Sequence, residues 1–151
     1  MVHVRLLGEL AVQTDARIAP LLPAHPQGPS LLAWLALHPG EHERGPIAAL
    51  LWPGLQPSDA RAHLRSAVWA LRRALGPQEG AVVDGRTTVG LRCTTDLQAF
   101  AEHVAAGQPA AALALCRGTL LAGLDEHEWV RAARAEHDRR VAAARAALEA
   151  G

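Results

Sequence analysis

The chain has 151 residues, no formal net charge, fifteen arginines, no lysine, no tyrosine and one phenylalanine. That length holds one domain or two small ones. A balanced charge excludes a global basic field, so any nucleic-acid contact must come from a local patch, and so few aromatic rings argue against a single-strand stacking platform. Charge is unevenly spread: residues 1–92 hold nine arginines against seven acids, and residues 93–151 hold six against eight. Cys93 and Cys116 form neither a metal-type pair nor a disulfide framework and read as buried thiols in a reducing compartment. Met1 runs straight into VHVRLLGEL without the pattern of a signal peptide, and no apolar run approaches a membrane span, so the sequence predicts a cytoplasmic protein with no membrane partner.

Residues 2–19 read as short antiparallel strands, because Val2, Val4 and Leu6 alternate with His3 and Arg5, and Val12 and Ile18 are candidate inward residues. Pro-rich residues 20–29 read as a loop. An apolar helix is predicted over Ser30–His38 and ends at His38-Pro39-Gly40. Glu41–Glu43 suits a short extended bridge, and a second helix is predicted over Gly45–Trp52 with Ile47, Leu50 and Leu51 inward.

The third helix, Ser58–Leu75, is the centre of the reading. Ser58 is its predicted N-cap, and Gly76-Pro77 stops it. At the helical period Leu64, Val68, Leu71 and Leu75 share one stripe. Arg61, Arg65 and Arg72 fall on the neighbouring stripe, Ser58 and Trp69 lie at its edge, and Arg73 lies further round. Four arginines against one acid, Asp59, give a helix that can bury one face and present guanidinium forks to phosphates and base edges. Ala81–Val83 and Thr88–Leu91 then read as strands around an Asp84-Gly85 turn, which places Arg86 at a hairpin tip. Two helices, a basic helix and a basic-tipped hairpin make the order of a winged helix, in which the third helix enters the major groove and the hairpin reaches the backbone or minor groove.

From Thr95 onward the pattern is helical. Thr95 is the predicted cap of DLQAFAEHVAAG, Pro109 opens a second helix to Gly118, and a long helix is predicted over Asp125–Ala150 with Trp129, Ala133, Val141, Ala144 and Leu148 as a thin apolar stripe. A helix that long and alanine-rich needs a partner surface. The fold class expected is therefore α+β, with a winged-helix domain at 1–92 and an all-α segment at 93–151.

Motifs for chemistry are missing. His38 and His42 straddle Pro39-Gly40, His127-Glu128 lacks the second histidine of a HExxH pattern, and without lysine there is no ordinary P-loop. Ser30, Ser58 and Ser66 have no nucleophile-elbow context. The sequence predicts no enzyme, no cofactor and no metal site. Trp34 and Trp52, on apolar helices, are expected in the core, whereas Trp69 can pack or face a groove.

These segments together resemble the SARP-type transcriptional activators, an OmpR-like winged helix followed by a bacterial transcriptional activator domain. VRLLGEL, LLAWLALHPG, IAALLWPG, DARAHLRSAVWALRRALG, VVDG, DLQAF, AALALCRGTLLAGL and EWVRAAR occur in the family's order and cover nearly the whole chain. The resemblance implies that the helical region, similar to tetratricopeptide repeats, meets a protein partner such as RNA polymerase or a second subunit over residues 95–150. It also implies that Arg61, Arg65, Arg72 and Arg73 lie in a recognition helix and Arg86 in the wing turn. Three departures stand out: PAHPQGP carries no arginine before the first helix, Cys116 stands where the family usually has Tyr, and the sequence stops at Gly151 where the family's activator domain runs on through several more helices, so a truncated activator domain is expected. The expected function is sequence-specific binding of duplex DNA by a transcriptional regulator. The alternatives are a protein-interaction adaptor on the same fold, or a fragment of a longer regulator.

Overall fold

A computed structural model describes residues 1–13, 18–19, 25–124 and 127–151. Its backbone contacts divide the chain into two compact units. One comprises Met1–Val2, Thr14–Arg17 and Leu21–Cys93; the other comprises His3–Gln13, Ile18–Pro20 and Thr94–Gly151. The architecture is mixed α+β, with two small sheets and six α-helices among the described residues.

In the first unit, α1 (Gly28–Leu37), α2 (Arg44–Leu51) and α3 (Pro57–Leu75) are followed by a 3₁₀ segment, Gly76–Ala81. A three-stranded sheet completes it, in the order β4 (Glu41–Glu43), β6 (Thr88–Leu91), β5 (Val82–Asp84), all antiparallel. The core is apolar: Leu31, Leu32 and Leu35 of α1, Ile47 and Leu51 of α2, and Leu64, Val68 and Leu71 of α3 are all buried. The third helix thus buries the stripe its period predicts. Three local expectations are corrected. Ser58 is not the cap of α3: Pro57 occupies the first turn, where its missing N–H costs nothing, and the cap moves back to Gln56. Leu50 is exposed, and Ala48 takes its inward place beside Ile47 and Leu51. Trp34 and Trp52 are half-buried rather than central, because each stacks on histidine: Trp34 on His38 at 4.2 Å, Trp52 on His63 at 5.6 Å.

Gly90 is required by the close pairing of β6 with β4. It faces Glu41 across the ladder, and a Cβ there would meet the Gly40 carbonyl oxygen at 2.5 Å. Gly90→Ala is expected to cost about 2–3 kcal/mol by forcing backbone apart. A chemical-denaturation midpoint within error of wild type would contradict that close approach.

In the second unit the sheet order is β3 (Ile18–Ala19), β2 (Ala11–Gln13), β1 (His3–Arg5), β7 (Thr94–Thr95). The three N-terminal strands pair antiparallel as expected, but β1 also pairs in parallel with β7. The sequence places these strands with residues 1–92, whereas their contacts group them with Thr94–Gly151. Thr95 caps α4 (Asp96–Ala105) as expected, its hydroxyl accepting from the Gln98 N–H at 3.0 Å. α5 is short, Pro109–Ala114, because the chain then turns back to β1: the Arg117 N–H donates to the Leu7 carbonyl and the Leu121 N–H to the Leu6 carbonyl. The long helix α6 runs Glu128–Ala150. Its predicted start at Asp125-Glu126 lies outside the described residues. Its buried residues are Val130, His137 and Ala144, seven apart, while Leu148 is exposed. Burial against Phe100 lowers the pKa of His137 below the usual histidine value.

Candidate functional site

The first unit carries an open cavity of about 400 Å³ lined by Arg44, Arg61, Arg65, Trp69, Arg72, Asp84 and Arg86. α3 forms one wall, because Arg61, Arg65, Trp69 and Arg72 recur at helical spacing on the stripe next to the buried leucines. The tip of the β5–β6 hairpin forms the other. The N–H of Gly85 donates to the Thr88 carbonyl at 3.0 Å, which closes the turn and leaves Arg86 exposed at its apex.

The predicted residues divide into three groups. Arg61, Arg65 and Arg86 are exposed, and none has a salt bridge among the described residues. Three guanidinium groups with every donor available thus face one cavity. Arg72 lines the same cavity but is engaged: its Nη1 lies 3.2 Å from Asp84 Oδ2 and its Nη2 3.8 Å from Glu79 Oε1. Ser58 and Arg73 do not line it. Ser58 is exposed in the first turn of α3, and the Arg73 guanidinium sits 4.9 Å from the Trp69 ring centroid in a cation–π contact. Trp69 is 60% exposed, a large apolar ring held at the cavity edge rather than in the core.

Two lining residues were not singled out by the sequence. Arg44 opens α2, and it clamps the hairpin tip. Its backbone N–H donates to the Thr87 carbonyl at 3.1 Å, its Nε and Nη2 donate to the Gly85 carbonyl at 3.2 and 3.0 Å, and its Nη2 pairs with Asp84. The second is Asp84, read from sequence only as a turn former. Neither has a local signal in the sequence: Arg44 follows the EHE segment and Asp84 ends a strand, and it is the pairing of β4 with β6 that brings them together.

Beside the cavity, His25, Trp52 and His63 form an aromatic cluster, with His25 5.8 Å from Trp52 and 6.1 Å from His63. Burial, and then the neighbouring His63, lower the His25 pKa. Its Nδ1 accepts from the Gln27 N–H at 3.1 Å, which fits the neutral ring. No group of three or more metal-ligating side chains occurs among the described residues, and none of their helices is long and apolar enough to cross a membrane. Burial pushes the Cys93 thiol up to about 11, so it is protonated at neutral pH.

No protein-family model and no curated protein matches the chain. Among solved structures, its fold is similar to that of Mycobacterium tuberculosis EmbR, solved in complex with a low-affinity phosphopeptide, with a TM-score of 0.76. The two are 24% identical, and the match covers 95% of this chain and 43% of that one. The chain therefore spans less than half the length of EmbR, and what the two share is the fold.

Proposed function

We infer that this chain is a cytoplasmic transcriptional regulator that binds duplex DNA through a winged helix. α3 enters the major groove, and the β5–β6 hairpin is the wing on the adjacent backbone or minor groove. The observation that carries this reading is the convergence of Arg61, Arg65 and Arg86 on one open cavity between helix and hairpin. Guanidinium forks bind phosphate oxygens and the guanine edge bidentately, and the buried stripe of α3 fixes them on a rigid element. Trp69 adds an apolar surface for a thymine methyl or a sugar. Ser58, in the exposed first turn of the helix, donates to a phosphate oxygen outside the cavity, and Arg73 holds Trp69 through its cation–π contact. The resemblance to SARP-type activators adds the expectation that α4–α6 meet a protein partner, RNA polymerase or a second copy of the chain.

A single substitution tests the contact set. Arg65→Ala removes one phosphate-competent cation and is expected to flatten the salt dependence of duplex binding by about one unit of log–log slope. An unchanged slope would show that Arg65 makes no such contact.

A further inference from the structure

We propose that Asp84 is a specificity-determining residue, which withholds Arg72 from DNA phosphates until a correctly placed phosphate displaces it. This rests on the duplex-binding reading above and names a device within that site.

Three observations carry it. First, Asp84 is an acid in the wall of a cavity otherwise rich in arginine, where a carboxylate repels the phosphate backbone. Second, its two arginine partners are held differently. Arg44 is anchored by its own backbone and by the Gly85 carbonyl as well as by Asp84, and its side chain is 16% exposed. Arg72 has only the 3.2 Å contact to Asp84 and the 3.8 Å contact to Glu79, with its side chain 39% exposed. Its Nε is buried and has no hydrogen-bond partner among the described residues. Third, if Arg72 leaves, Asp84 keeps Arg44, so release strands no unpaired carboxylate.

The consequence is an exchange of partners. In the free protein, Asp84 and Glu79 screen Arg72, and the cavity shows loosely held phosphates only Arg61, Arg65 and Arg86. When α3 lies at its proper depth in the groove, a phosphate beside the wing takes the Arg72 fork, and Asp84 stays with Arg44. A partly exposed ion pair is a weak competitor for a well-placed phosphate and a sufficient one against a poorly placed phosphate. Non-specific affinity is thereby held down more than specific affinity, a form of negative selection against wrong sites.

The test is a set of salt titrations of the full chain on a random-sequence duplex, using wild type, Asp84→Asn, Arg72→Gln and the double variant. Asp84→Asn keeps the side-chain shape and removes the charge. It is expected to tighten random-duplex binding about tenfold and to steepen the salt slope by about one unit. Arg72→Gln is expected to weaken random-duplex binding by less than about threefold, and the double variant is expected to bind like Arg72→Gln alone, because the gain requires Arg72. If Asp84→Asn binds random duplex no tighter than wild type, or if the gain survives without Arg72, the proposal is overturned while the duplex-binding reading stands. If neither wild type nor any variant binds duplex at low salt, both fall together.

Discussion

Asp96→Ala is expected to destabilise the second unit by about 3–5 kcal/mol, the cost of removing one partner from a buried charged network. Asp96 is the first residue of α4 and is 2% exposed. Its Oδ1 accepts from the Leu6 N–H at 2.7 Å, and its Oδ2 accepts from the Leu7 N–H at 3.1 Å and from Arg117 at 2.5 Å. Leu6 and Leu7 are fully buried, so those two N–H groups lie where the strand β1 has ended and no ladder serves them. Alanine orphans both amides and leaves Arg117 with only the Leu115 carbonyl among the described residues. Asp96→Asn is expected to cost less, because it keeps an acceptor for one amide but turns its own N–H₂ toward other donors. Chemical denaturation followed by circular dichroism measures both. A loss below about 1 kcal/mol for Asp96→Ala would mean that water replaces the carboxylate without penalty.

The second large effect concerns function. Arg61→Glu combined with Arg65→Glu is expected to lower duplex affinity by about 4 kcal/mol, on the order of a thousandfold. Both side chains are exposed and lack a salt bridge among the described residues, so the fold should change by less than about 0.5 kcal/mol. The reversal replaces two attractive charges by two repulsive ones on the wall proposed to face the duplex. Binding within tenfold of wild type, by a variant that melts like wild type, would remove α3 from the interface.

Local signals were legible wherever one element could be read by itself. The Leu64, Val68, Leu71 and Leu75 stripe, the Thr95 cap and the Thr88–Leu91 strand follow from spacing and capping chemistry, and the structure has all three. Ser58 was misread because Pro57 reads equally as a breaker before a helix and as its first residue; only the latter leaves its missing N–H harmless. The buried role of Asp96 was hidden for a similar reason. An acid just after a threonine cap looks like a dipole-matching residue, and nothing local says that Leu6 and Leu7, about ninety residues earlier, donate to it. The parallel pairing of β1 with β7 is equally non-local. In the candidate site, Arg73 of α3 lies outside the lining, but Arg61, Arg65, Arg72 and Arg86 were legible as lining residues because helical period and turn chemistry placed them. Arg44 and Asp84 were not, because their roles depend on β4 lying beside β6, which no period in either segment encodes.

Anisotropy of the full chain with labelled duplex DNA, titrated across salt concentrations, decides whether the α3–hairpin surface binds nucleic acid. Steep salt-dependent binding is expected, with log Kd against log salt corresponding to several phosphate contacts, and a subset of sequences retained at higher salt. The absence of binding at low salt would contradict it and leave the helix–hairpin cavity as a feature of the fold without a nucleic-acid role.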